Sequence, residues 1–282
     1  MAERTGIPIT PNPAKQSPAQ PYGDVTTLNT CRLVMDSVGR EILADIMGDY
    51  LDLLQTSAAV YEKSGDYAQG LFTSGWCRKM DATSRRLCGT DDNRAALQSG
   101  TWHCHESCWQ TSKASIETGT PADKPCLGGI RIYAIPIVAG GEVVGSINFG
   151  YGDPPQDPQK LREIADRYGL SVDELRKEAA GYESRPSHII EIAKSRLQTA
   201  ARLIGEIIER KYAEEKLRRL NEDLERRVKE RTDELQQMVN AMTGREVRMA
   251  ELKDVLGRLR SQLTSAGLTP VADDPLGTRE NA

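Results

Sequence analysis

Five of the six cysteines of this chain lie in one segment, together with two of its three histidines. The thiols are those of Cys77, Cys88, Cys104, Cys108 and Cys126, and His103 and His105 stand on either side of Cys104. Thiolate sulfur and imidazole nitrogen are the groups that hold zinc, and thiolates hold iron–sulfur clusters. The segment therefore predicts a metal site, a redox site or a ligand pocket lined by cysteines.

The spacing of these cysteines favours some ligand sets over others. Cys104 and Cys108 are four residues apart, so on a helix they would share one face. Cys88 and Cys126 would complete a tetrahedral thiolate site, with His105 as an alternative ligand. Zinc is the first expectation and an iron–sulfur cluster the second. Because the chain lacks the paired C-x2-C knuckles of zinc ribbons, thiols that contact a ligand, or that merely pack in the core, stay open as alternatives.

All three tryptophans of the chain fall in the same region, at Trp76, Trp102 and Trp109. Aromatic side chains commonly wall small-molecule pockets, and they are equally at home in the core of a small domain. The three tryptophans are therefore predicted either to line a ligand pocket or to pack in the core.

Composition restricts the class of protein. A chain of 282 residues predicts one or two domains. Its net charge of −4 argues against broad binding to nucleic acid or anionic membranes, which needs a basic surface. There is no secretory signal pattern and no apolar run of membrane-spanning length. We therefore expect a cytoplasmic protein with reduced thiols, in which clustered cysteines act as ligands or redox groups.

The first half of the sequence contains several helical patterns. Apolar periodicity predicts a helix over residues 34–61, and residues 71–80 are predicted as a strand or loop carrying Trp76 and Cys77. Two more helices are expected over 90–98, capped by the residue at 90 or 91, and from about 106 to Gly119.

The clearest strand signal follows. Apolar runs over residues 130–138 and 143–149 flank Gly140-Gly141, which is typical of a β-hairpin. Two short helices are predicted within 159–184. An antiparallel hairpin among helices indicates an α+β fold rather than a doubly wound sheet.

The last third of the sequence reads as one long helix from Ser187 to Leu263 with a heptad repeat. One column, assigned to position a, is Ile207, Glu214, Asn221, Val228, Leu235, Met242, Met249, Leu256 and Leu263. The other, at d, is Leu203, Arg210, Leu217, Leu224, Arg231, Met238, Arg245, Leu252 and Leu259. This pattern predicts a coiled coil. Its polar positions suit either a simple dimerisation rod or a signalling helix whose packing changes with state.

Several ordered motifs resemble those of the PocR sensory domain. They are Trp76-Cys77, Cys88, Cys126 with Gly128-Gly129, Pro136-Ile137, and Gly145, within residues 30–184. The resemblance implies a PAS-like sensory fold and binding of small organic molecules such as short diols. It also implies a position upstream of a histidine kinase or a helix-turn-helix regulator. The insert HCHESCW, which adds Cys104 and Cys108, keeps the metal hypothesis open. We assign the ligand site to Trp76, Cys77, Trp109, Gly128, Gly129 and Ile130.

The sequence contains no clear motif for a catalytic or DNA-binding output. No nucleotide-binding box or catalytic constellation is recognisable, and His188 lacks the surroundings of a phosphoacceptor, so we expect a protein that is not an enzyme. Residues 159–180 have helix-turn-helix spacing. However, Asp173 and Glu174 would open the recognition helix, where they would repel DNA phosphates.

These observations combine into one hypothesis. We expect a disordered N-terminus (1–24), a PocR-like sensory domain (25–184), a coiled-coil signalling and dimerisation helix (185–263) and a disordered tail (264–282). The dimer would bind a small organic ligand, with or without a cysteine-held metal. It would signal to a separate histidine kinase or regulator of a two-component system. The alternatives are a DNA-binding transcription regulator and a zinc-stapled dimerisation module.

Overall fold

The computed structural model describes residues 22–269. The predicted disordered segments, 1–24 and 264–282, lie outside the described residues except for residues 22–24 and 264–269. The chain divides into two compact units, of which the first ends at Ala213 and the second begins at Glu214.

The first unit is built from a five-stranded sheet and helices, after a single 3-10 turn at Val25–Leu28. The strands are β1 Ser57–Glu62, β2 Tyr67–Thr73, β3 Ala122–Pro125, β4 Arg131–Ala139 and β5 Glu142–Tyr151. The helices are α1 Leu33–Val38, α2 Arg40–Leu54, α3 Gly75–Leu87, α4 Asn93–Gln98, α5 His103–Thr118, α6 Pro158–Tyr168, α7 Val172–Ala180 and α8 Ser187–Ser265. The predicted α+β class followed by a long helix is confirmed.

The sheet is antiparallel throughout, in the order β2-β1-β5-β4-β3. Its centre is the predicted β4–β5 hairpin, in which Ala139 pairs with Glu142. Gly140 and Gly141 both have positive φ, at 58° and 83°. Glycine reaches this region without steric cost, which is why the Gly-Gly pair forms the turn.

Alternation along the strands gives the sheet two apolar faces. On β1, Ala58 and Val60 join a core with α1, α2 and the first turns of α8. The neighbouring Ala59 and Tyr61 join a second core with α3, α5, α6 and α7. Successive side chains of a strand point to opposite faces, so one sheet separates two helical layers.

The predicted helix over 34–61 is wrong in part. Gly39 interrupts it, the second helix ends at Leu54, and Ser57–Glu62 is a strand. The six residues of β1 are all buried. A strand covered on both faces carries no polar–apolar alternation, so its sequence does not distinguish it from the end of an apolar helix.

The prediction for residues 71–80 also needs correction. Strand β2 ends at Thr73, and Trp76 and Cys77 lie in the first turn of α3. Helix α4 is capped by Asp92, whose side chain accepts hydrogen bonds from the amides of Arg94 and Ala95. The cap therefore lies slightly after the predicted one.

The remaining helices of this unit follow their local signals. Gly119 ends α5 in the left-handed region, as predicted. Gly169 does the same for α6, and Ser171 with Glu174 forms a capping box that begins α7. The two short helices predicted within 159–184 are confirmed. Their buried side chains, including Tyr168 and Leu175, pack in the second core rather than standing free.

The first turns of α8 belong to the first compact unit. Their buried side chains are Ala193, Leu197, Ala201, Ile204 and Ile208. The compact unit thus extends past residue 184, where the sequence placed its end, because one face of this amphipathic segment covers the sheet.

The second unit is the remainder of α8, which carries the predicted heptad columns. Its apolar a and d side chains are exposed: Leu217 at 61%, Leu224 at 60%, Leu235 at 61% and Met242 at 66%. Ion pairs three or four residues apart, such as Arg218 with Glu215 and Glu222, cover other parts of the helix surface. Within residues 22–269, no helix combines the length and the apolar character needed to cross a membrane.

Candidate functional site

Most of the predicted ligand residues meet at one end of the second core. The indole Nε1 of Trp76 donates to the carbonyl oxygen of Gly128 at 2.9 Å, and Cys77 and Ile130 are buried in the same core. Gly129 has φ +92°, and a Cβ there would lie 2.7 Å from the ring of Pro155. The turn therefore requires glycine at this close approach.

Trp109, the sixth predicted ligand residue, lies elsewhere. Its ring packs on the β1–β2 hairpin, where a Cβ on Gly65 would stand 2.8 Å from it. Its centroid is 5.4 Å from that of Tyr61. The predicted ligand residues thus divide between the Trp76–Gly128 contact and this second place.

A cavity of about 280 Å³ opens beside Trp109. Apolar side chains line part of it, namely Val25, Leu28, Leu97 and Trp109 itself. Polar groups line the rest, among them Tyr67, Arg94, Gln98 and His105. An apolar wall with a few polar groups is the usual composition of a small-molecule site.

A buried hydrogen-bond relay ends at this cavity. The hydroxyl of Tyr61 donates to that of Tyr67 at 3.0 Å, and Tyr67 lies 2.8 Å from Nδ1 of His105. Burial lowers the pKa of His105 to about 4, so the ring is neutral near pH 7. Burial also raises the pKa of Tyr67, so its hydroxyl stays protonated. Because this hydroxyl accepts from Tyr61, its own proton is the one that it donates to Nδ1. The ring proton then sits on Nε2, which is left as a donor.

Neither Tyr61 nor Tyr67 was singled out by sequence. Tyr61 fell within the predicted helix over 34–61, and Tyr67 stood between predicted elements. Their roles depend on strand pairing, since Tyr61 faces Tyr67 across β1 and β2. The signal that would have found them is the pair of short aromatic-containing runs on either side of Ser64-Gly65.

Four of the predicted metal ligands are cysteines that belong to the second core or pack against it, and the fifth, His105, lies on α5. Cys104 and Cys108 are buried one turn apart on α5, and Cys126 lies in the loop before β4. Cys88 caps α3, where its sulfur contacts the carbonyl of Ser84 and the hydroxyl of Ser99. His105 is engaged with Tyr67 at Nδ1.

Cys77 is buried in the same core as Cys104 and Cys108. Burial raises the pKa of Cys108, and the nearby thiols of Cys126 and Cys77 raise it further. For Cys104, burial and the Asp81 carboxylate raise the pKa, and so do the thiols of Cys126, Cys77 and Cys108. In the described part of the chain, no group of three or more His, Cys, Asp or Glu side chains is placed to hold a metal ion.

Asp81 is a buried carboxylate in the same core. Its two oxygens accept hydrogen bonds from Nε1 of Trp102 at 2.7 Å and from the hydroxyl of Tyr22 at 2.8 Å. Burial raises the pKa of Asp81 to about 6, and the two donors and the charge of Arg85 offset burial only in part. Trp102 is therefore fixed by a polar partner within the core.

This raised pKa predicts a pH dependence of stability. An unfolded aspartate titrates near pH 3.9, so between about pH 4 and pH 6 the folded state binds more protons than the unfolded state. The stabilisation from Asp81 is complete below about pH 4 and is lost as the pH rises through about 6. We expect Asp81→Asn to remove a decrease of roughly 2–3 kcal/mol in the free energy of unfolding over this range. Urea denaturation at a series of pH values measures it.

The exposed Asp91 supplies the control for this measurement. Asp91→Asn should leave the pH dependence as it is in the wild type. If Asp81→Asn and wild type show the same slope between pH 4 and pH 6, the raised pKa is contradicted.

A family model described as the sensory domain found in PocR matches residues 36–212. The chain belongs to the PocR sensory-domain family. No curated protein and no solved structure gave a match.

The residues that match the PocR family model end close to the end of the first compact unit. It ends at residue 212, one residue before the end of the first compact unit. The PocR domain of this chain therefore includes the first turns of α8. The matched family is a sensory domain, so the chain carries a sensory domain.

Proposed function

We propose that this PocR domain binds a small organic ligand in the cavity between the β1–β2 hairpin, α4 and α5. The observation that carries the proposal is the relay from Tyr61 through Tyr67 to His105, which is buried and ends at the cavity. Burying three polar side chains costs free energy unless each has a partner. The relay provides those partners and leaves one oriented donor for a ligand.

The lining favours a small uncharged molecule with hydroxyl groups. The neutral imidazole offers a donor, Gln98 offers a donor and an acceptor, and Leu97 with Trp109 supplies apolar contact. Short alcohols and diols, the class implied by the family resemblance, match this combination in size and chemistry.

The signal would pass through the sheet to α8. Tyr61 faces the cavity layer, whereas its neighbour Val60 packs in the core that contains the first turns of α8. A ligand that favours one position of β1 over another would shift the population of α8 positions. Through a homodimeric coiled coil, α8 would then act on a separate histidine kinase or regulator. A purified dimer that captures no signalling partner in a pull-down would count against this last step.

Titration calorimetry with 1,2-propanediol tests ligand binding. We expect saturable binding by the wild type and at least roughly 10-fold weaker binding by His105→Phe, because one hydrogen bond contributes about 1.5 kcal/mol. His103→Phe is the matched control, since His103 lies on the same helix but stacks edge-on against Tyr168.

Two outcomes would contradict the role given to the relay in ligand binding. Equal losses in the two histidine variants would mean that helix α5, rather than the relay, was disturbed. Binding that is insensitive to His105→Phe would move the site elsewhere, with the Trp76–Gly128 contact as the next candidate.

A further inference from the structure

Part of the wall of the candidate ligand cavity comes from a segment that lies before the PocR match. The family model matches residues 36–212, whereas residues 22–32, here called the N-terminal strap, precede it. Val25, Leu28 and Thr30 of the N-terminal strap line the cavity. Val25 is 1% exposed and belongs to the second core. The N-terminal strap therefore packs as an integral part of the domain, although the family model does not include it.

The first end of the N-terminal strap is fixed on helices α3 and α4. The hydroxyl of Tyr22 donates to Oδ2 of Asp81 on α3 at 2.8 Å. The carbonyl oxygen of Tyr22 accepts from Nδ2 of Asn93 on α4, also at 2.8 Å. The ring of Tyr22 stands edge-on to that of Trp102, with the ring centroids 4.7 Å apart. These contacts hold this end of the N-terminal strap at the helix that supplies Leu97 to the cavity.

The second end of the N-terminal strap is fixed on the β1–β2 hairpin. Nδ2 of Asn29 donates to Oε1 of Glu62 at 3.1 Å, and Glu62 is fully buried. The amide and the hydroxyl of Thr30 both donate to Oδ2 of Asp66, at 2.9 and 2.8 Å. Hydrogen bonds to carboxylate oxygens are stronger than those between neutral groups. The turn Val25–Leu28 is thus held against the cavity between two fixed ends.

The N-terminal strap and the rest of the cavity offer a ligand different chemistry. The groups that would bind hydroxyls, His105 and Gln98, lie within the PocR match. The N-terminal strap contributes the apolar side chains of Val25 and Leu28. Each methylene group that leaves water against an apolar wall strengthens binding roughly fourfold. The carbon chain of a ligand would gain affinity at this wall, while its hydroxyl groups are recognised elsewhere in the cavity.

We infer that Val25 and Leu28 of the N-terminal strap determine which length of carbon chain the cavity prefers in its ligand. The inference rests on the proposed function, because it assigns specificity within the same cavity. Longer 1,2-diols bind more tightly than short ones, and the apolar side chains of the N-terminal strap cause the difference. Since these side chains lie outside the family match, ligand choice can change while the hydroxyl-binding residues stay the same.

Titration calorimetry of the full chain with 1,2-propanediol and 1,2-pentanediol tests the role of the N-terminal strap. The two ligands share their hydroxyl groups and differ by two methylene groups, so the wild type should bind the longer one roughly 15-fold more tightly. In Leu28→Ala this ratio should fall to roughly fourfold or less, because the side chain that meets the carbon chain is shortened. Leu28→Asn keeps the approximate size of the side chain but removes its apolar character. It should lower the ratio in the same way, and it serves if the alanine variant does not fold.

Thr27→Ala is the matched control and should keep the wild-type ratio. Thr27 is exposed in the same 3-10 turn and is not among the residues that line the cavity. If both Leu28 variants keep the wild-type ratio and still bind both diols, the inference is overturned and the proposed function stands. Equal weakening of both diols would also overturn it, since the N-terminal strap would then support the cavity without selecting a chain length. A wild type that binds neither diol would reject the proposed function, and this inference with it.

Discussion

Replacement of Gly205 by alanine is expected to destabilise the sensory unit by about 1–3 kcal/mol. Gly205 lies where α8 crosses β4, and a Cβ on it would overlap the carbonyl oxygen of Val138. That neighbour is backbone in the central hairpin, so it cannot move aside as a flexible side chain would. Alanine is the better helix former by about 1 kcal/mol, but the overlap outweighs this gain. Urea denaturation followed by tryptophan fluorescence measures the change, since all three tryptophans lie in this unit.

Gly244→Ala on the same helix is the matched control. Nothing lies within 4 Å of a Cβ at Gly244. The substitution should leave the tryptophan-monitored transition unchanged. If Gly205→Ala also leaves it unchanged, the close packing of α8 on the sheet is contradicted, and the proposed route from the sheet to α8 loses its basis.

The second large effect concerns the heptad columns of the second unit. The double variant Leu224→Asp with Leu235→Asp is expected to convert the proposed dimer to a monomer. Each leucine is about 60% exposed in the single chain, and its burial in a seam contributes about 1.5–3 kcal/mol. Two leucines from each of two chains would supply about 6 kcal/mol or more, which corresponds to a roughly 10⁴-fold weaker association. Sedimentation equilibrium measures it.

The control places negative charge on the opposite face of the helix. Lys229→Asp with Gln236→Asp adds at least as much negative charge as the seam variant, but both residues lie outside the a and d columns. It should keep the association of the wild type. A seam variant that sediments as the wild type does would mean that these columns do not form the interface.

Local sequence signals predicted the structure correctly where only one residue type readily adopts the required backbone conformation. Gly140-Gly141 predicted the central hairpin because only glycine adopts both turn conformations at low cost. Gly119 marked the end of α5 for the same reason. The order of cysteine, glycine and proline motifs indicated the PocR family, which the family match over residues 36–212 confirmed.

Local sequence signals did not predict the type of an element that is buried on both faces. β1 was assigned to a helix because a strand packed on both faces shows no polar alternation. For the same reason, residue pattern alone does not show that Tyr61 faces one helical layer while Val60 faces the other.

By itself, the sequence determined the α+β class, the long C-terminal helix, the family and the presence of a cysteine-rich segment. Each of these depends on residue type and short-range spacing. Only the tertiary structure decided which cysteines meet. Cys77 is far from Cys104 along the chain, yet α3 and α5 bury the two in one core, and Cys88, which caps α3, packs against that core beside Ser99. Side chains meet according to the faces that helices bury against the sheet, and those faces are fixed by long-range packing.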